Sequence, residues 1–201
     1  VYLLFGFAEW SRPQNHAEIT QLVARANTFA ELAQPAGIVL DVEPHVLPGW
    51  QADTETYSRD FVDMLEKVRD QITTNIPLFA TIPFWYDTVL VQRDAETKPL
   101  HEWVLESVDG INVMDYRDTE AGANGLTFHA SQELEAANEN GNLVVVNVET
   151  NCNLMDSITF CEEGEAAMQT ELSAFITNNN GAQSLMGVGI HDYAAYQLLP
   201  P

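Results

Sequence analysis

The sequence predicts an α/β fold of the (β/α)8 TIM-barrel type, incomplete and with about six β/α units, from three observations. Short apolar runs alternate with longer segments of helical periodicity. The runs are almost continuously apolar, as in parallel strands that are covered on both faces. Acidic and aromatic residues follow every run, and in a barrel all strands end on the face where active sites are built.

The predicted elements follow from these periodicities. The predicted strands are Tyr2–Phe7, Gly37–Val42, Leu78–Ile82, Gly110–Met114, Leu143–Val148 and Gly187–Ile190. The predicted helices are Ala17–Ala33, a second helix, Leu100–Ser107, Ala130–Glu139 (ended by Asn140-Gly141) and Glu163–Thr177. The second helix has Asp53 or Thr54 as candidate N-cap and an apolar face that runs from Tyr57 to Ile72.

Two architectures fit this alternation, an open doubly wound sheet and a β/α barrel. In an open sheet only the strand ends beside the switch point share a site, whereas here every predicted strand end is acidic or aromatic. No G-x-G-x-x-G or G-x-x-x-x-G-K-[ST] motif follows a strand, so nucleotide binding loses support. We therefore expect a barrel. Because a complete barrel has eight strands, residues 1–201 are expected to form one domain that lacks the first two β/α units.

The composition limits the possible partners. The chain of 201 residues has 30 acidic and 8 basic residues, which gives a formal net charge of −22. Phosphate contacts need Lys and Arg, so nucleic-acid binding is not expected. No apolar run is long enough to predict a membrane span. The acidic excess is typical of a strongly soluble or salt-adapted surface. The sequence leaves the oligomeric state open.

Cys152 and Cys161 are the only cysteines. A disulfide across so short a loop would contribute about 2–3 kcal/mol, and two free thiols are the alternative. Small oxidised loops are typical of secreted proteins. We therefore expect a secreted or cell-surface protein whose signal peptide lies outside this chain. Two cysteines without nearby histidines do not predict a zinc site.

The segment G-I-V-L-D-V-E-P-H, from Gly37 to His45, carries the strongest catalytic signal. Asp41 and Glu43 are two residues apart on a predicted strand, so both side chains project to the same face. If that face is the barrel interior, repulsion between the carboxylates favours a proton on one of them. Glu43, nearer the strand end, is the predicted proton donor, and Asp41 is the predicted orienting residue. The alternative is a strand that simply runs out into solvent. His45, after Pro44, is interpreted as a loop residue.

The other strand ends predict a carbohydrate site, because aromatic faces stack on sugar rings and carboxylates bind hydroxyl groups. The predicted substrate-binding residues are Glu9, Trp10, Trp85, Tyr86, Asp115, Arg117, His191 and Asp192. Packing in the core is the alternative for Trp85 and Tyr116. A divalent metal on Asp41, Glu43, Asp115 and His191 is a further alternative, but the histidines lack ligand spacing. No metal and no cofactor is therefore expected.

The same segment resembles the strand-four signature of glycoside hydrolase family 18, D-G-x-D-x-D-x-E, the family of the chitinases. Laid over that signature, this chain keeps Gly37, Asp41 and Glu43, while Ala36 and Val39 replace the first two aspartates. The resemblance implies that the six strands are the third to eighth of the family's barrel.

A second segment, D-G-I-N-V-M-D-Y-R-D, resembles the family's strand-six pattern M-x-Y-D. Met114 and Tyr116 match the pattern, Arg117 stands in place of its Asp, and at the last strand His191 stands where the family usually has Trp. The resemblance implies substrate-assisted hydrolysis, in which the 2-acetamido oxygen attacks the anomeric carbon. It also implies that Tyr116 bonds the acetamido carbonyl.

Two alternatives to this mechanism remain. Glu43 and Glu149 follow what would be strands four and seven, an arrangement similar to retaining β/α-barrel glycosidases in which Glu43 is the acid/base and Glu149 the nucleophile. Glu149 could instead pair with Arg117 or His191. An alternative of another class is a non-catalytic carbohydrate-binding barrel.

Overall fold

The structure is a computed structural model that describes residues 1–201. Its strands are β1 (Tyr2–Phe5), β2 (Gly37–Leu40), β3 (Leu78–Pro83), β4 (Leu90–Arg93), β5 (Glu96–Pro99), β6 (Gly110–Met114), β7 (Leu143–Glu149) and β8 (Leu185–His191). Its α-helices are α1 (His16–Ala33), α2 (Thr54–Gln71), α3 (Leu100–Ser107), α4 (Leu126–Asn140), α5 (Gly164–Asn178) and α6 (Tyr193–Tyr196). The longest of these helices are too polar to cross a lipid bilayer.

The predicted fold class is confirmed, since six parallel strands alternate with helices as in an incomplete β/α barrel. The chain forms two compact units, one of residues 1–82 and 86–111 and the other of residues 83–85 and 112–201. The short pair β4–β5 forms a separate antiparallel sheet within the first unit.

In the first unit, β2 lies between β1 and β3 and pairs in parallel with both. Leu3 is opposite Ile38, and Val39 is opposite Phe79. The start of β6 follows β3, where the Asp109 amide donates a 2.8 Å hydrogen bond to the Leu78 carbonyl. Fully buried aliphatic and aromatic side chains of β2, β3 and α2 form the core of this unit.

In the second unit, β7 pairs in parallel with β8, and the register brings Glu149 opposite His191. The end of β6 lies beside β7, because the Asp115 amide donates to the Asn147 carbonyl at 3.1 Å. Helices α4 and α5 contribute buried apolar residues such as Leu134 and Phe175. This arrangement brings the residues that end β6, β7 and β8 to one side of the second unit.

Helix boundaries follow from local chemistry. The Asp53 side chain accepts a hydrogen bond from the Thr56 amide, so Asp53 is the N-cap of α2 as predicted. Helix α4 ends at Asn140, one residue after the predicted Glu139, because Gly141 adopts φ +76°, a left-handed conformation that glycine tolerates best. However, α4 begins at Leu126 rather than at the predicted Ala130.

The hairpin β4–β5 was not predicted. Its turn residue Asp94 has φ +52°, and its strands are short and contain a proline, which weakens the usual sequence signal. Arg93 fixes the hairpin to α2 through ion pairs with Asp63 and Glu66, each at 2.7 Å. The first strand was also predicted too long, since β1 ends at Phe5 rather than Phe7.

Candidate active site

The end of β2 in the first unit presents two carboxylates on one face. Side chains along this segment alternate, with Ile38, Leu40 and Val42 fully buried. Asp41 and Glu43 lie on the other, partly exposed face, as their two-residue spacing predicts. The strand register continues past Leu40, because the Asp41 amide donates to the Phe5 carbonyl at 2.8 Å.

Gly6 allows the backbone after β1 to approach Asp41 closely. A Cβ atom at position 6 would lie 2.9 Å from the Asp41 carbonyl oxygen and 3.3 Å from the Asp41 Cβ. These separations leave no room for a side chain at position 6 without movement of the backbone around Asp41. The glycine therefore helps to determine the position of Asp41.

Glu43 is held by the turn that follows it. Pro44 begins a 3-10 turn over residues 44–46, and the Val46 amide donates to the Glu43 carbonyl at 3.3 Å. A proline restricts the backbone of the residue before it. The turn brings His45 Nε2 to 3.2 Å from Glu43 Oε2, with 31% of the Glu43 side chain exposed. His45, interpreted from the sequence as a loop residue, is therefore a partner of Glu43.

A buried aromatic cluster lies behind this pair. The Tyr86 hydroxyl lies 3.2 Å from His45 Nδ1, and the Tyr86 ring stacks on Trp50 with centroids 5.9 Å apart. Tyr86 is only 1% exposed. Burial, with a smaller contribution from the Glu43 charge, raises the pKa of the Tyr86 phenol well above its ordinary value. Tyr86, predicted to bind substrate, thus lies in the interior of its unit and contacts the Glu43–His45 pair.

His101 supports the same cluster from α3. It is almost fully buried, and this burial lowers the pKa of its imidazole to about 4, although a hydrogen bond to the Tyr86 main chain acts in the opposite direction. The ring is therefore neutral at physiological pH.

The second unit contains a different carboxylate–histidine pair. Glu149 is 2% exposed, and its Oε1 accepts hydrogen bonds from the Thr150 and Asn151 amides, both at 2.8 Å. Its Oε2 lies 2.7 Å from Nδ1 of His191, whose side chain is 58% exposed. The sequence suggested Arg117 or His191 as the partner of Glu149, and the hydrogen bond in the structure is with His191.

In this unit His191 and Arg117 each lie close to an aromatic ring. The Tyr116 ring lies nearly parallel to the His191 ring, with centroids 6.0 Å apart. The Arg117 guanidinium lies 4.8 Å from the Phe84 ring centroid, and its Nε donates to Asn124 Oδ1 at 3.1 Å. Phe84 and Asn124 were not predicted as site residues.

Asp115 is fully buried, and neither of its carboxylate oxygens has a hydrogen-bond partner. Burial raises its pKa to about 8, against a smaller lowering by Arg117. The substrate-binding role predicted for Asp115 stays a prediction. The alternation in β6 explains the burial, because Asp115 shares its face with the buried Ile111 and Val113.

The remaining predicted residues have varied environments. Trp10 is partly exposed and donates from Nε1 to Glu18 Oε2 at 3.1 Å, and Glu9 precedes it in the 3-10 turn of residues 8–11. The Asp192 side chain caps α6 by accepting from the Ala195 amide at 2.9 Å. Trp85 is partly exposed in the second unit.

Cys152 and Cys161 form a disulfide, with Cα atoms 5.0 Å apart. It closes the loop that follows β7, directly after the Asn151 amide that bonds Glu149. Three or more His, Cys, Asp or Glu residues are nowhere grouped in a way that could hold a metal ion.

Solved structures with a similar fold include chitinases and a mannanase. A GH18 chitinase from Pseudoalteromonas aurantia matches with a TM-score of 0.56 and 15% identity, over 88% of this chain and 63% of its own. A chitinase from Rhizomucor miehei matches with a TM-score of 0.54 and 13% identity, over 96% of this chain and 76% of its own. A GH113 β-1,4-mannanase matches with a TM-score of 0.53 and 10% identity, over 90% of this chain and 53% of its own.

These matches concern the fold alone, because the identities are low. They agree with the predicted resemblance to a family 18 barrel. The chain spans less than two thirds of the length of the Pseudoalteromonas chitinase and of the mannanase, at 63% and 53%. No protein-family model and no curated protein matches the sequence.

Proposed function

We propose that this chain carries the catalytic acid of a glycoside hydrolase, which cleaves O-glycosidic bonds in a polysaccharide or glycan. The observation that carries the proposal is the end of β2, where Glu43 and Asp41 lie on one partly exposed face. Glycoside hydrolysis needs a proton donor for the leaving oxygen and a second group that stabilises the oxocarbenium-like centre. Glu43 is the proposed donor, since it is accessible and its carboxyl group is held in place.

Within this proposal the family 18-like mechanism is favoured. The 2-acetamido oxygen of the substrate attacks the anomeric carbon while Glu43 protonates the leaving oxygen. Asp41, held close to Gly6, orients the acetamido nitrogen. The fold likeness to two chitinases supports a substrate of the N-acetylated β-1,4-glycan class. The role of Tyr116 at the acetamido carbonyl is a separate prediction from the resemblance.

The test compares Glu43→Gln with Glu31→Gln, which makes the same chemical change at an exposed position of α1. Turnover of N-acetylated chito-oligosaccharides and of β-1,4-manno-oligosaccharides would be measured, together with sugar binding by calorimetry. Loss of a general acid lowers kcat by roughly 10²- to 10⁴-fold, so Glu43→Gln should lose turnover and keep sugar binding. Full activity in Glu43→Gln would contradict the proposal, and so would equal losses in both variants.

A retaining mechanism with Glu149 as nucleophile is the second candidate, supported by the fold likeness to the GH113 mannanase. Against it, Glu149 is 2% exposed, and both of its carboxylate oxygens already have hydrogen-bond partners within the protein. A 2-fluoro glycoside would trap a covalent adduct on Glu149 in a retaining enzyme, detectable by mass spectrometry. In the family 18-like mechanism the protein stays unlabelled.

A non-catalytic carbohydrate-binding barrel is the remaining alternative. In that case both the unaltered chain and Glu43→Gln would bind oligosaccharides equally and neither would turn them over. The proposed location is secreted or at the cell surface, which the Cys152–Cys161 disulfide supports because disulfides persist in oxidising compartments.

A further inference from the structure

We propose that His45 is a positioning residue for Glu43, and that the Tyr86 hydroxyl fixes which ring nitrogen of His45 donates to Glu43. The proposal rests on the function proposed for Glu43. It is carried by two contacts of one imidazole ring, Nε2 at 3.2 Å from Glu43 Oε2 and Nδ1 at 3.2 Å from the Tyr86 hydroxyl. The ring thus connects a partly exposed carboxyl group to a buried phenol.

The aromatic surroundings hold the His45 ring in one orientation. Its plane is nearly perpendicular to Trp50, at 79°, and to Tyr86, at 89°. Trp50 and Tyr86 stack on each other at an interplanar angle of 15°. Edge-to-face contacts of this kind favour one ring geometry, and Pro44 restricts the backbone between Glu43 and His45. The imidazole therefore has little freedom to rotate away.

The tautomer follows from the chemistry of the buried phenol. Burial and the Glu43 charge hold the pKa of Tyr86 well above its ordinary value, so its hydroxyl keeps the proton. A protonated phenol hydroxyl can donate a hydrogen bond, and His45 Nδ1 lies within its reach at 3.2 Å. If Nδ1 accepts, the proton of the neutral ring is on Nε2. Nε2–H then donates to Glu43 Oε2.

The consequence for catalysis concerns the orientation of the Glu43 carboxyl group. A hydrogen bond at Oε2 fixes the carboxyl plane and leaves Oε1 as the oxygen that carries the reacting proton. Only 18% of the His45 side chain is exposed, against 31% for Glu43. His45 therefore acts through Glu43 and does not replace it as the acid. Positioning of this kind lowers the barrier by preserving a reactive geometry.

The Tyr86 end of this contact is itself well supported. The Tyr86 ring packs edge-on against Phe61, with centroids 6.4 Å apart, and the neutral His101 imidazole hydrogen-bonds the Tyr86 main chain. The hydroxyl is therefore presented from the core of the unit. Removing only the hydroxyl should leave this packing intact.

The kinetic experiment uses three variants of the full chain and one control. His45→Phe removes both ring nitrogens, His45→Gln retains one side-chain N–H donor, and Tyr86→Phe removes only the hydroxyl. Tyr193→Phe is the matched control, because Tyr193 is 71% exposed and lies outside the cluster. Misplacement of a catalytic group costs up to about 100-fold. We expect kcat to fall about 10- to 100-fold in His45→Phe and less in the other two.

The distribution of the loss between kcat and KM separates positioning from a structural role. We expect KM to change less than about twofold in each variant, partial recovery of kcat in His45→Gln, and no change in Tyr193→Phe. Wild-type kcat in His45→Phe, in a chain that hydrolyses its substrate and loses turnover in Glu43→Gln, would overturn this inference and leave the proposed function standing.

A spectroscopic experiment reads the same contact without any turnover. Two-dimensional ¹H–¹⁵N spectra of the histidine rings, at mildly alkaline pH where imidazoles are neutral, distinguish protonated from unprotonated ring nitrogens. We expect a protonated Nε2 and an unprotonated Nδ1 for His45, and a mixture of tautomers in Tyr86→Phe. A proton on Nδ1 in the unaltered chain would overturn the tautomer assignment. An inactive chain with the expected spectrum would instead indicate failure of the proposed function.

Discussion

Both units of the molecule contain a carboxylate–histidine pair at the end of a strand, but the accessible partner differs. In the first unit Glu43 is 31% exposed and His45 lies behind it at 18%. In the second unit Glu149 is 3% exposed at its side chain and His191 is exposed at 58%. One arrangement presents an acid supported by an imidazole, and the other presents an imidazole supported by a carboxylate.

The two carboxylates also differ in their hydrogen bonds, and Glu149 is the more firmly held of the two. Glu149 accepts from two backbone amides and lies 2.7 Å from His191 Nδ1. The Glu43–His45 contact is longer, at 3.2 Å. Both oxygens of the buried Glu149 carboxylate thus have hydrogen-bond partners, whereas Glu43 is partly exposed and within reach of a ligand. Accessibility, and not only the presence of a carboxylate at a strand end, therefore distinguishes the two candidates.

The largest expected effect concerns Asp115, the buried acid of the second unit. Its folded-state pKa of about 8 lies above the ordinary 3.8, so the stability contributed by the bound proton is complete below about pH 4. That stability is lost as the pH rises towards about 8, by at most about 6 kcal/mol. Asp115→Asn should remove this decrease, as measured by urea unfolding across that range. A variant with an unchanged pH slope would contradict the assignment.

His101, the buried histidine of the first unit, predicts the opposite dependence. Its folded-state pKa is lowered from 6.5 to about 4, so the unfolded chain takes up a proton first as the pH falls. Its contribution to stability is present above about pH 6.5 and is lost towards about pH 4, by up to about 3 kcal/mol. In His101→Gln the free energy of unfolding should vary less over this interval. A steeper acid dependence than in the unaltered chain would argue against a neutral buried imidazole.

A smaller effect on stability is expected when each of the two carboxylates is truncated to alanine. Glu149→Ala leaves two backbone amides and an imidazole nitrogen without their acceptor, which should cost about 2–3 kcal/mol of unfolding free energy. Glu43→Ala removes a partly exposed group and should cost less than about 1 kcal/mol. Chemical denaturation at neutral pH measures both values. Equal losses of stability would show that the contrast between the two pairs is not energetic.

Much of the fold could be predicted from the sequence, because strand and helix periodicities are local. The bounds of α3 and β6 agree with the prediction, and Asp41 and Glu43 share a face as expected. The hairpin β4–β5 was missed because its strands are short and include Pro99. In the structure Arg93 fixes the hairpin to α2 through ion pairs. That contact spans a distance in sequence that no local pattern describes.

The candidate site was less predictable, since its contacts join distant parts of the chain. His45 and Tyr86 are 41 residues apart, so no local pattern indicates that the histidine connects a phenol to Glu43. The burial of Asp115 was in part readable, because I-N-V-M-D places it two residues after Val113 on the covered face. Because acids or aromatics follow every predicted strand, Asp115 was assigned to the site instead of to the core.

The most direct test of the account is the dependence of Glu43→Gln on the leaving group. kcat/KM would be compared for an oligosaccharide, whose leaving oxygen needs protonation, and for its dinitrophenyl glycoside, whose leaving group does not. If Glu43 is the general acid, kcat/KM should fall by roughly 10²-fold or more on the oligosaccharide and remain near that of the unaltered chain on the activated glycoside. Equal losses on both substrates would contradict the role of Glu43 as the acid.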